Sequence, residues 1–312
     1  VPYNEKRYAP KLLTKNAYGP GTVWVMDAVH MPYGCSVWPA LWTQGPNWPE
    51  GGEIDIMEGV HLQKTNQVAL HSEGDGCYAS KDVSMTGSLA YENCSISSNS
   101  ASGCIVTDPN TNSYGADFAS AGGGVYVAEF ADQYIKVWFL TRSAVPEGVT
   151  KDAKSIDTAS LGEPLAYYPR TTCDFPKYFG EQTLTIDITL CGTWGSIPSV
   201  LEATCPTLAE NQTCYTTYVI NDASETYANA FFELNYINIY SNASSTGTET
   251  STSAAGTKIG TGTATGTATG TKSGSGTGTT VTSTSVAPNA ASRAATYGTA
   301  LALIGAVVAL AI

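Results

Sequence analysis

Gly51-Gly52-Glu53-Ile54-Asp55-Ile56-Met57-Glu58-Gly59 sets three carboxylates among three apolar residues in a strand-length run bounded by glycines. β-Branched runs of this length with glycine at both ends read as a β-strand. Side chains in a strand alternate faces, so Glu53 and Asp55 point one way while Ile54 and Ile56 point the other. Strict alternation then sends Glu58 to the isoleucine face, where an ionised carboxylate is costly to bury. A β-bulge at Ile56-Met57 removes the conflict, because two residues then count as one and Glu58 returns to the acidic face. The expectation is a bent strand with three acids on one side and a packed core on the other.

With the bulge, the outer two carboxyl groups are expected at roughly the 5–5.5 Å separation at which paired acids cleave glycosidic bonds with retention. The tryptophans flanking the run fit this reading, since sugar rings stack their C–H faces on indoles. An acidic strand merely solvated on an outer face is the plainer alternative, and charged strands of that kind are rarely flanked by tryptophans.

The surrounding text carries a resemblance. Trp38-Pro39-Ala40-Leu41-Trp42, Gly45-Pro46-Asn47-Trp48-Pro49 and the acidic run together resemble the core signature of family 16 glycoside hydrolases, most closely the fungal laminarinase-type endo-β-1,3(4)-glucanases. The similarity continues through Asn66-Gln67, Leu70-His71, Gly122-Gly123-Gly124-Val125-Tyr126, Ile135-Lys136-Val137-Trp138-Phe139, Cys191-Gly192-Thr193-Trp194 and Phe232-Glu233-Leu234-Asn235, covering about residues 16 to 240. It implies a β-jelly roll, which agrees with the many short alternating strands separated by glycine and asparagine turns. Two positions depart from the family pattern: Thr193 stands where aspartate is frequent and Phe130 where tryptophan is usual.

Resemblance and geometry together make Glu53 the expected nucleophile and Glu58 the expected acid/base, with Asp55 between them sharing a proton with Glu53. Trp48 and Trp194 are the expected sugar platforms, while Trp38 and Trp42, inside an apolar run, are expected in the core. The resemblance places His71 beside the nucleophile, and Gln67 and Asn47 are candidate partners for sugar hydroxyls. The activity implied is endo-acting, retaining hydrolysis of β-1,3 or mixed β-1,3/1,4 glucan. Two rivals follow from the same residues: a transglycosylase remodelling wall glucan, and a non-catalytic glucan-binding surface protein, against which the paired acids count.

Size and charge narrow the class. The chain has 312 residues and a formal charge of −12 with only 13% charged residues. A poorly charged acidic surface repels phosphate backbones, so nucleic acid is excluded as a partner. Eight cysteines without a CxxC pair, and three histidines, lack zinc-ligand spacing, and neither metal nor cofactor is expected. Disulfides in an oxidising compartment account for them better. Short spacing makes Cys94 with Cys104 and Cys205 with Cys214 candidate pairs, and spacing alone does not settle the connectivity. Sequons at Asn93, Asn211 and Asn242 suit the same compartment.

Strands are expected at Thr22 to Ala28, Gly52 to Met57, Gln67 to His71, Gly124 to Phe130, Tyr134 to Thr141, Thr183 to Thr189, Tyr215 to Ile220 and Phe231 to Tyr240. They fall in a domain spanning 1–240. Val1 to Lys15 is polar and basic with no apolar h-region. Family members normally carry a leader and several strands ahead of this region, so the domain is expected to lack its first strands. Residues 241–288 collapse to Ser, Thr, Gly and Ala, a composition with too little apolar surface to fold, and read as a disordered stalk. Residues 289–312 combine small residues at Asn289-Ala290-Ala291, a polar spacer and an uncharged tail, the three parts of a GPI-attachment signal with Asn289 as acceptor. The picture is an extracellular monomer tethered to membrane or wall.

Overall fold

The computed structural model describes residues 7–98, 101–220, 225–242, 297–298, 300–302 and 310–311. Two antiparallel sheets pack face to face. The first has the strand order β1 (Lys11–Leu13), β12 (Thr183–Leu190), β3 (Val37–Gln44), β4 (Glu53–Glu58), β5 (Gln67–His71), β7 (Cys104–Thr107) and β6 (Ser88–Leu89). The second runs β11 (Ala166–Pro169), β9 (Tyr134–Thr141), β8 (Gly124–Phe130), β2 (Thr22–His30) and β13 (Phe231–Ser241), while β10 (Ser155–Ile156) lies outside both. Backbone of the tail forms short strands at Tyr297–Gly298, Ala300–Ala302 and Leu310–Ala311, which pair with β10 and β13. The all-β sandwich expected from the alternating pattern is the fold observed.

Hydrophobic burial explains the layering. Ile54, Ile56 and Met57 of β4, Val68 and Leu70 of β5, and Ile186 and Ile188 of β12 turn inward against Trp24, Met26, Ala28, Tyr126 and Phe130 of the second sheet. Burying side chains of this size contributes about 1.5–3 kcal/mol each. Strand β2 reads as a nearly unbroken apolar run because both its faces are covered. Val23 and Val25 join Val125, Val127, Trp138, Leu140 and Val149 in a second cluster on the far side. Phe130, a departure from the family pattern, is fully buried in the main core.

The sequence reading needs three corrections here. Tyr215 to Ile220 is not a strand but a π-helical turn, Tyr215–Val219. Thr213 and Thr216 exchange side-chain-to-backbone hydrogen bonds at 2.8 and 3.1 Å, which fold the chain back locally instead of leaving it extended. Strand β3 escapes the reading because Pro39 argues against a central strand. Pro39 is tolerated because β4 ends opposite Ala40, so beyond that point β3 pairs with β12 and no longer with β4. Of the two candidate disulfides, Cys94–Cys104 forms, whereas Cys205 joins Cys35 and Cys214 joins Cys191. These last two bridges share a small cluster with Leu201 and Val219, so spatial assembly rather than loop length selects the partners. Cys77–Cys173 completes the set, and no described cysteine is free.

Candidate active site

Register along β4 decides the site. Against β3, Ala40 pairs with Glu58, Leu41 with Met57 and Trp42 with Asp55, which leaves Ile56 as an extra residue. Against β5, Asp55 pairs with Ala69 and Glu58 with Gln67, again one residue too many on β4. The bulge therefore falls at Ile56-Met57, where the conflict between alternation and burial requires it. Both bulge residues are buried, and Glu58 emerges on the same face as Glu53.

That face floors a cleft of about 420 Å³ lined by Glu53, Glu58, Trp38, Ala40, Trp42, Gln44, Trp48, Lys11, Asp187 and Thr189. Every second residue of β3 contributes, from Trp38 to Gln44, as strand alternation demands. Trp38 and Trp42 are thus not core residues, contrary to the sequence reading. Their neighbours Val37 and Leu41 turn inward, and a one-residue error of phase within an apolar run hides this.

Each acid has its own partners. Glu58 Oε1 accepts the Trp38 indole N–H at 2.9 Å, and Oε2 accepts the Gln67 amide at 3.1 Å. Glu53 accepts the Trp48 indole N–H. His71, directly opposite Glu53 on β5, brings Nε2 within 2.9 Å of Asp55 Oδ2, off the line of a good hydrogen bond. Donor atoms of Glu53, Asp55 and His71 all lie within 4.8 Å of one another, close enough to hold a metal ion and equally suited to sharing protons.

Burial raises all three carboxyls. It pushes Glu53 up to about 8, helped by the charge of Asp55 and opposed by His71 and the Trp48 hydrogen bond. Asp55, almost fully enclosed, is held well above the ordinary range by burial and then by the charge of Glu58. Glu58 is raised by burial, with its two hydrogen bonds pulling the other way. Three acids this close cannot all ionise near neutrality, so the cluster retains protons.

The remaining sequence candidates sit further out. Trp194 does not line the cleft; it packs edge-on against Trp38 with ring centroids 5.5 Å apart and braces it. Asn47 is exposed, and its backbone bridges Glu50 within the loop that carries Trp48. Thr193 is exposed beside it in the helical turn Gly192–Gly195. Sequence reasoning missed Lys11 and Asp187, which face each other across β1 and β12, the Lys11 ammonium lying 4.4 Å above the Trp42 ring. No local motif marks them, because only strand pairing brings them to the cleft. Of the sequons, Asn211 and Asn242 are exposed, while Asn93 is half-buried next to the bridged Cys94. Asn289 lies outside the described residues.

Known proteins can be set beside this geometry. A family model described as an XgeA-like, catalytic GH16 domain matches residues 1–240. The chain belongs to glycoside hydrolase family 16. Among family 16 relatives, a probable endo-1,3(4)-β-glucanase of Aspergillus fumigatus is 40% identical over 244 residues, 77% of this chain and 36% of that protein. A probable glycosidase of Schizosaccharomyces pombe is 42% identical over 188 residues, 59% of this chain and 44% of the relative. The chain thus spans less than half the length of these two curated relatives. Laminarinase 16A of Phanerochaete chrysosporium, a family 16 structure with β-glucans in donor and acceptor sites, superposes with a TM-score of 0.66 at 35% identity, covering 73% of this chain and 75% of that one. An elongating family 16 β-1,3-glucosyltransferase gives a TM-score of 0.65 at 36% identity, covering 73% and 74%.

Proposed function

We propose that this chain is the catalytic domain of an endo-acting, retaining β-glucanase that cuts β-1,3 or mixed β-1,3/1,4 glucan. The observation that carries the reading is the bulge that returns Glu58 to the cleft face occupied by Glu53. Glu53 attacks the anomeric carbon while Glu58 gives its proton to the departing glycosidic oxygen, leaving a glycosyl-enzyme ester on Glu53. Glu58, now a base, takes a proton from water, which attacks the same carbon and frees Glu53 with the configuration retained. Asp55 takes up the proton that Glu53 must lose before attack, and His71 steadies Asp55. Trp38, Trp42 and Trp48 supply apolar faces for glucose rings, and Gln44, Lys11 and Asp187 supply polar partners for hydroxyls. Trp194 supports this wall from behind Trp38, and Asn47 holds the turn that presents Trp48.

Transglycosylation is the second reading, because a sugar hydroxyl can replace water at the ester and the elongating glucosyltransferase shares the fold at 36% identity. Four disulfides and the fungal glucanase relatives support an extracellular or wall location. We read residues 1–240 as the catalytic domain, 241–288 as a stalk and 289–312 as a GPI signal with Asn289 as acceptor, carried by a glycosylated monomer.

Incubation with laminarin and with lichenan, followed by separation of products, tests the function. Shortened chains support hydrolysis, lengthened chains support transfer, and unchanged polymer retained on a glucan column overturns both in favour of a binding protein. Glu53→Gln should abolish turnover while sparing glucan affinity; activity surviving in that variant removes Glu53 as nucleophile.

A further inference from the structure

A β-bulge that re-aims Glu58 breaks the hydrogen-bond ladder at the same place. Ile56 has no residue opposite it on either β3 or β5, and Glu58, although it stands opposite Ala40 and Gln67, turns its backbone N–H to a side chain; Ile56 is buried and Glu58 half-buried. Unpaired buried backbone groups are costly, so the bulge needs an outside partner to persist. One side chain supplies it. Asn66 Oδ1 accepts the Glu58 N–H at 2.8 Å, and Asn66 Nδ2 donates to the Ile56 carbonyl at 3.2 Å. Its amide thus bridges the residues on either side of Met57.

Asn66 is itself held rigidly. It is 1% exposed, its own N–H donates to Ser113 Oγ at 2.9 Å, and its carbonyl accepts the Asp108 N–H at 2.9 Å. Ser113 Oγ in turn donates to the Asn110 carbonyl at 2.6 Å. The 108–113 loop therefore fixes the backbone on which the amide is mounted, and Asn66 immediately precedes Gln67, which donates to Glu58 Oε2. Both the backbone and the carboxylate of Glu58 are thereby gripped from the start of β5.

We propose that Asn66 is a positioning residue for catalysis: by clamping the Ile56–Glu58 bulge, it sets where the Glu58 carboxyl meets the leaving oxygen. It touches no substrate and acts only through Glu58, and the proposal rests on the reading of Glu58 as acid/base. Glutamine is too long to close both bonds from the same backbone, aspartate keeps the acceptor but loses the donor, and alanine loses both.

The test separates acid assistance from general collapse of the site. Wild type, Glu58→Ala, Asn66→Ala and Asn66→Asp are assayed on laminarin, whose leaving hydroxyl needs a proton, and on 2,4-dinitrophenyl β-laminaribioside, whose phenolate leaves without one. The Asn66 variants should lose about 10²-fold in kcat on laminarin, the scale of a misplacement near 1 Å. Their initial burst of dinitrophenol should stay within about threefold of wild type, and azide should speed the subsequent steady state, as both should in Glu58→Ala. Equal losses on both substrates, or no loss on laminarin, overturn the positioning role. If Glu58→Ala cleaves laminarin at the wild-type rate, the acid/base reading itself fails and the proposal falls with it. Asn66→Asp, nearly isosteric, serves if Asn66→Ala does not fold.

Discussion

Burial raises all three carboxyls in the cleft, and for Glu58 the influence that opposes it most is hydrogen bonding. Trp38 and Gln67 favour the ionised form of Glu58, whereas a general acid must enter the reaction protonated. Trp38→Phe removes one carboxylate-stabilising donor, so Glu58 should hold its proton to higher pH. The alkaline limb of the kcat/KM profile on laminarin should therefore move upward, with a rate loss of about tenfold or more, since a hydrogen bond to a charged group contributes about 1.5–3 kcal/mol. A limb that stays in place would show that Trp38 does not tune Glu58. Stability carries a matching signature. Glu53 ordinarily titrates near 4.5 and is pushed to about 8 in the fold, so between these values the native state binds protons that the unfolded chain has released. Unfolding free energy then falls as pH rises through that window. Thermal melts should give a lower Tm at pH 8 than at pH 5 from this group, and Asp55→Asn, which removes a repelling charge, should narrow the gap.

Elements, rather than single residues, place the tryptophans. The 45–52 loop is pinched by the Gly45 N–H donating to the Gly52 carbonyl at 2.9 Å, which projects Trp48 over Glu53. Gly52 has φ of +72°, and a Cβ there would meet the Phe179 ring at 2.5 Å. Gly52→Ala should therefore shift the loop, at about 1–3 kcal/mol for a strained backbone position. Loss of laminarin turnover exceeding the loss of thermal stability, seen by parallel kinetics and calorimetry, is the expected outcome. Strand β4 was legible because its acids obey a simple phase rule with one interruption. Strand β3 was not, because two tryptophans and a proline in an apolar run read equally as core, and only pairing with β12 and β4 shows which side faces the cleft.

Across the whole molecule, the bridges tie distant ends of the chain around one sandwich. Cys35–Cys205 spans 170 residues and Cys94–Cys104 spans 10. Chain-entropy arguments give about 5 kcal/mol for the first and about 3 for the second. For a domain this large, replacing Cys35 and Cys205 by alanine should lower Tm by about 10 °C or more, and replacing Cys94 and Cys104 should lower it by less. Equal losses would show that native-state strain or residual unfolded structure outweighs loop closure. The sandwich itself was readable from alternation and turn residues, since a half-buried strand writes its period into the sequence.

What the sequence determined alone was local: the acidic run, its bulge, the period of most strands and the oxidised state of the cysteines. These follow from interactions between residues near in the chain or from composition. Only the tertiary structure decided which tryptophans line the cleft, which cysteines meet, and that Lys11, Asp187 and Asn66 reach the cleft or its supports. Those outcomes depend on strand register and sheet order, which pair residues far apart in sequence and leave no local pattern to read.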